Sequence, residues 1–181
     1  MVESINSELD RLDRQLLGLL TSEGRLSHVE LSERVGLSTT ACARRIKLLE
    51  DAGIIRGYQA RLDLPALGLS TTVIVQITLN SQSEDTLDHF ERAIRDCPSV
   101  LRCHLMSGSA DYMVTVAARD IEDFESIHRT QLSRLPGVAR IQSSFALRHV
   151  IDRSLPSNAL RPAAAPAPKA AAKAARSSRK A

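Results

Sequence analysis

The sequence predicts an α+β protein made of an N-terminal winged helix-turn-helix domain, a ferredoxin-like βαββαβ sandwich and a disordered C-terminal tail. Three observations predict it. Residues 7–52 carry apolar side chains at helical spacing in three successive runs. Residues 72–150 alternate between stretches with the period of a strand and stretches with the period of a helix. Residues 153–181 are alanine, proline, lysine, arginine and serine with no aromatic residue and no apolar face. The resulting boundaries are residues 1–63 for the helix-turn-helix, 64–71 for a linker, 72–152 for the sandwich and 153–181 for the tail.

Residues 1–6 form a short arm and residues 7–22 the first helix, opened by a Ser7-x-x-Asp10 capping pattern and carrying Leu9, Leu12, Leu16 and Leu19 on one face. Ser27 caps a second helix with Val29, Leu31 and Val35, and Gly36-Leu37 supplies the turn. Ser38 then caps a third helix by accepting a hydrogen bond from a free backbone N–H. On it Cys42, Ile46 and Leu49 share one face, which puts Thr40, Arg44 and Lys47 on the other. A helix-turn-helix presents such an outward face to the major groove, where arginine can donate two hydrogen bonds to guanine and lysine or threonine can hold a phosphate. Gly53 ends this helix, and residues 54–62 turn extended, as a wing would.

The pattern weakens between Tyr58 and Leu69, where Pro65 and Gly68 mark the linker. Thr72–Leu79 is a strand with Val73, Val75, Ile77 and Leu79 on one side. Residues 83–94 are a helix with Leu87, Phe90 and Ile94 in line, stopped by Pro98. Strands come next at 100–106 and 112–118, then a helix at 121–135 and a long strand at 138–150. Two helices would cover one face of a four-stranded antiparallel sheet. The bare face, carrying Ile74 and Met113, calls for a second copy of the chain about a two-fold axis.

Composition sets the remaining bounds. No stretch is long and apolar enough for a membrane span, and the N-terminus lacks a basic region and an apolar run, so the expectation is a cytoplasmic, nucleoid-associated protein with no membrane partner. Cys42, Cys97 and Cys103 form no CxxC and sit in apolar patterns as reduced core residues. None of the five histidines lies in a nucleophile or metal motif, and no glycine loop cradles phosphate, so no catalytic residue, metal ligand or cofactor is expected. The net charge of +3 conceals an asymmetry: residues 153–181 hold seven Lys/Arg and no acid, leaving residues 1–152 at −4 with 17 basic and 21 acidic side chains. DNA binding must therefore come from a local patch and the tail. Both a phosphate-touching arm and a solubilising extension fit the tail.

The runs Gly24-Arg-Leu-Ser with Glu30-Leu-Ser and Arg34-Val-Gly-Leu-Ser38, Cys42-Ala-Arg-Arg-Ile-Lys47 with Leu49-Glu50, Gly53-Ile-Ile with Gly57-Tyr58, Cys103-His-Leu-Met-Ser-Gly108 with Asp111-Tyr112, and Arg134-Leu-Pro-Gly-Val138 resemble the Lrp/AsnC family of bacterial regulators in order and spacing over residues 7–151. The resemblance implies DNA binding by the N-terminal domain, an effector-sensing sandwich, control of genes of amino-acid metabolism, an amino acid as the small-molecule effector, and self-assembly as dimers that often build tetramers or octamers. Two features depart from it. Many members carry a proline near the start of the third helix, where this chain has Thr39-Thr40-Ala41, and the basic tail lies outside the family pattern.

The candidates for double-stranded DNA are Ser38, Thr39, Thr40, Arg44, Arg45 and Lys47. The first three lie at a helix N-terminus suited to phosphate. Arg45 turns partly toward the packed face, so a phosphate contact, a base contact and an internal ion pair all stand open for it. The resemblance points to Ser107, Gly108, Asp111 and Tyr112 for the effector. Glycine at 108 admits a ligand close to the backbone, and the Asp111 carboxylate suits an amino acid's ammonium. Asp111 as the cap of its own turn is the other reading. Ser143 and Ser144 are weaker candidates. An effector-responsive regulator is the leading function, with a nucleoid-type architectural protein of little sequence specificity as the alternative and an enzyme third.

Overall fold

The computed structural model describes residues 9–156 and 158–160, and the chain divides into two compact units, residues 1–60 with 153–181 and residues 61–152. The first unit is three helices: α1 (Arg11–Ser22), α2 (His28–Val35) and α3 (Thr39–Asp51). α1 begins later than its periodicity suggests, because Asp10 is its cap. Asp10 accepts the Asp13 N–H at 2.8 Å and the Asp13 carboxylate accepts the Asp10 N–H at 3.1 Å. Ser7 lies outside the described residues. Ser27 and Glu30 form the same reciprocal box on α2, which ends at Gly36 in the left-handed region at φ +72°, a conformation that costs glycine nothing. Leu16, Leu31, Cys42 and Ile46 close the core between the three helices.

After α3 the extended stretch at 54–62 forms no strand. A strand needs a ladder partner, and none exists among the described residues of this unit. Tyr58 instead donates its hydroxyl proton to Glu50 at 2.9 Å, tying the segment back to α3.

The second unit runs β1 (Thr71–Leu79), α4 (Glu84–Arg95), β2 (Val100–Leu105), β3 (Tyr112–Ala118), α5 (Ile121–Thr130) and β4 (Val138–Phe145). The four strands pair antiparallel in the order β2-β3-β1-β4, the ferredoxin-like arrangement. Val73, Val75 and Ile77 are fully buried and meet Phe90, Ile94, Phe124 and Ile127 from the helices. The opposite face carries Ile74 and Met113, both half-buried.

Two expected lengths change. α5 stops at Thr130 and a 3-10 turn, Leu132–Arg134, completes the run. At that point the Gln131 side chain donates to Ser99 Oγ, and Leu132 and Leu135 turn into the core. β4 stops at Phe145, which lies opposite Val73 of β1. The Ala146 N–H makes the last backbone bond, to the Thr72 carbonyl, and the chain beyond has no strand beside it.

The expected disorder of 153–181 falls largely outside the described residues. In the tail residues that are described, the Ala159 N–H donates to the Pro156 carbonyl in a turn, and Leu155, Ala159 and Leu160 are half-buried. Among the described residues no helix is long and apolar enough to cross a membrane.

Candidate nucleic-acid interface and effector loop

The DNA candidates separate into two sets once α3 is built. Ser38 caps the helix, its Oγ accepting the Ala41 N–H at 3.2 Å, so the exposed donors at the helix start are the backbone N–H groups that a phosphate would find. Thr39 is held by the preceding helix, with its hydroxyl 3.3 Å from that of the buried Ser32. This pair fixes the angle of the turn. Thr40, Arg44 and Lys47 remain exposed along one line of α3. Lys47 pairs with Asp51 one turn on, at 3.2 Å with both side chains largely in water. Such a pair contributes little and can be exchanged for a phosphate. Arg44 has no ion pair or hydrogen bond among the described residues.

Arg45 does not join that line. Its guanidinium lies 2.7 Å from Asp10 and 2.8 Å from Asp13, and its side chain is only 24% exposed. The structure thus places Arg45 as a clamp between α3 and the start of α1. The pair of carboxylates holds the guanidinium charge still more firmly, with Asp13 the larger influence. Asp10 in turn sits below the usual carboxylate range, chiefly because it accepts the Asp13 N–H and secondarily because of Arg45. Arg34 of α2 makes a similar fork to Glu23 beyond α1. Sequence reasoning missed these partners. Nothing local shows that the Asp10/Asp13 box is completed by a residue 32 positions later.

The effector candidates also divide. Ser107 and Gly108 are exposed on the loop between β2 and β3, and a side chain built at Gly108 would meet nothing within 4 Å. Asp111, by contrast, is 6% exposed. Its carboxylate accepts the Leu79 N–H at 2.7 Å and the Gln82 amide at 2.6 Å, and its own N–H donates to the Ile77 carbonyl. It locks the end of β1 to the start of β3, as a latch beneath the loop. Tyr112 is likewise built in: its ring is 1% exposed, lies 4.3 Å from the Phe90 ring, and its hydroxyl donates to Glu91 at 3.0 Å. Burial first and Glu91 second raise its pKa far above the ordinary phenol range. The neighbouring Cys103 thiol is pushed up to about 11, mainly by burial. Ser144 is exposed and Ser143 half-buried on β4. Among the described residues no group of three or more His, Cys, Asp or Glu side chains is arranged to hold a metal ion.

Comparison with known proteins bears on both units. Residues 9–56 match the winged helix-turn-helix DNA-binding model, and residues 72–156 match the Lrp/AsnC ligand binding domain. The chain is 43% identical over 150 residues to the Bkd operon transcriptional regulator of Pseudomonas aeruginosa, covering 83% of this chain and 98% of that one. It is 42% identical over 143 residues to the leucine-responsive regulatory protein of Escherichia coli, with 79% and 87% covered. Among solved structures, a transcriptional regulator of Neisseria meningitidis in complex with L-Met superposes with a TM-score of 0.79 at 37% identity, over 84% of this chain and 99% of that one.

Proposed function

The chain belongs to the Lrp/AsnC family of DNA-binding transcriptional regulators, and on that premise we propose that it reads its operator through Thr40, Arg44 and Lys47 of α3, with phosphate held at the Ser38 end. The observation that carries this reading is the division between two adjacent arginines. Arg45 is spent on the internal clamp, whereas Arg44 stands exposed without a protein partner among the described residues and on the same line as Thr40 and Lys47. A bidentate arginine contributes about 1–3 kcal/mol of discrimination for its base. Arg44→Ala should therefore weaken binding to an operator selected from a random duplex pool by that amount and relax preference at one position, with helicity unchanged. Unaltered affinity by fluorescence anisotropy removes Arg44 from the reading face.

The effector is an amino acid received at the exposed Ser107–Gly108 end of the loop, with Asp111 and Tyr112 supporting it from below, and the genes controlled are those of amino-acid metabolism. The L-Met held by the Neisseria regulator supports that class of ligand. A second copy of the chain closes the open sheet face around Ile74 and Met113. Apolar area of this kind is removed from water by self-association. Light scattering at micromolar concentration should give at least a dimer, and a monomeric mass would place the assembly contact elsewhere.

A further inference from the structure

Beyond β4 the chain returns to the reading unit, and its last described residues have a seat there. A side chain built at Gly18, halfway along α1, would find Leu160 Cδ1 at 3.6 Å, ordinary van der Waals contact. Leu17 beside it is buried too, although it stands apart from the cluster of Leu16, Leu31, Cys42 and Ile46. α1 thus has two covered faces. One packs on α2 and α3, and the other carries the small residue against which Leu160 rests. The turn closed by the Ala159 N–H and the Pro156 carbonyl shapes the approach.

Past Leu160 the sequence is rich in positive charge. Arg161, Lys169, Lys173, Arg176, Arg179 and Lys180 are six cations with no acidic residue among them. Residues 1–60 carry eight basic and nine acidic side chains, so outside the α3 face the helical unit offers a polyanion no net attraction. Twenty-one residues reach up to about 70 Å when extended, far beyond the length of α3, which is about 20 Å.

We infer that Leu160, seated on the Gly18 face of α1, is an anchor that delivers the basic residues beyond it to DNA phosphates at the reading unit. Fixing residue 160 shortens the length of chain between the helical unit and the cations and so raises their effective concentration at bound DNA. The contacts are electrostatic and carry no sequence preference. The inference rests on the reading of α3 as the operator-binding helix.

The test compares the full chain, a truncation after Leu160, and two anchor variants, Leu160→Asp and Gly18→Leu, on a random duplex and on a duplex carrying a selected operator, across a salt series. Truncation should weaken both duplexes by similar factors and flatten the slope of log K against log salt by about 0.9 for each phosphate that the tail neutralises in the full chain. The anchor variants keep every cation of the tail. They should lose affinity severalfold on both duplexes while retaining most of the slope. A truncated protein with the slope of the full chain would overturn the phosphate contacts, and anchor variants with undiminished affinity would overturn the role of the Leu160 seat. A full chain that bound the random duplex as tightly as the operator would instead strike at the reading of α3, and a tail effect on both duplexes would survive it.

Discussion

The sandwich and the helical unit solve the same problem with different materials. In the sandwich, fourteen buried side chains from strands, two helices and the 132–135 turn form one cluster. The helical unit closes over four, Leu16, Leu31, Cys42 and Ile46, and adds polar fastenings: two reciprocal capping boxes, the Ser32–Thr39 hydroxyl pair, the Arg34–Glu23 fork and the Arg45 clamp. A small core leaves little margin. The difference teaches where each unit is vulnerable. Apolar burial is indifferent to modest changes of salt and pH, whereas caps and ion pairs depend on charge.

Removing apolar volume should hurt the sandwich most. Phe90 is fully buried against Tyr112, and Phe90→Ala should cost about 3–5 kcal/mol, read as a lowered urea midpoint for the sandwich strands. A loss under about 1 kcal/mol would mean that the sheet and α4 collapse to fill the space, and the contrast between the two cores would weaken.

A smaller effect should appear on the other side. Arg45→Met keeps the packing stem and removes the clamp, at a cost of about 1 kcal/mol, confined to α1 and α3. Hydrogen exchange should show faster opening of those helices with sandwich protection unchanged. Equal loosening of both units would show that they unfold together. Acid should act in the same direction. Folding lowers the pKa of Asp10, so the stabilisation it provides is fully present above the ordinary carboxylate range near pH 4 and fades as pH falls through the lowered value. Raising salt at neutral pH should weaken the clamp as well. The Arg45→Met variant should lose part of both sensitivities.

Most of the fold is legible in the sequence because its signals are local. Ser27, Ser38 and Gly36 announce helix ends through bonds three or four residues long, and Val73, Val75 and Ile77 announce a buried strand face by alternation alone. The errors lie where a distant residue decides. Extended character carries β4 on to residue 150, yet its pairing with β1 ends at Phe145, opposite Val73. Helical spacing carries α5 through Leu135, yet Gln131 breaks away to Ser99. Arg45 and Asp111 are charged residues in positions that sequence marks as functional. Their partners, Asp10 and Asp13 for one and the Leu79 N–H and Gln82 for the other, lie 29 to 35 positions away. Charge is visible in a sequence; whether it is already satisfied is not.

The position of β1 has a consequence in time. It is the first strand of the sandwich to be made and lies inside the sheet, with β3 on one edge and β4 on the other. Val116 arrives 43 residues after its partner Val73, and Phe145, the partner on the other side, 72 residues after. The helical unit, held by near neighbours, can form as it emerges. During synthesis Val73, Val75 and Ile77 are therefore exposed on a strand with two open edges, the arrangement by which chains join to the wrong neighbour. The second half of that wait ends only when β4 is complete. Any delay between the emergence of β1 and the emergence of β4 would lengthen the period of risk.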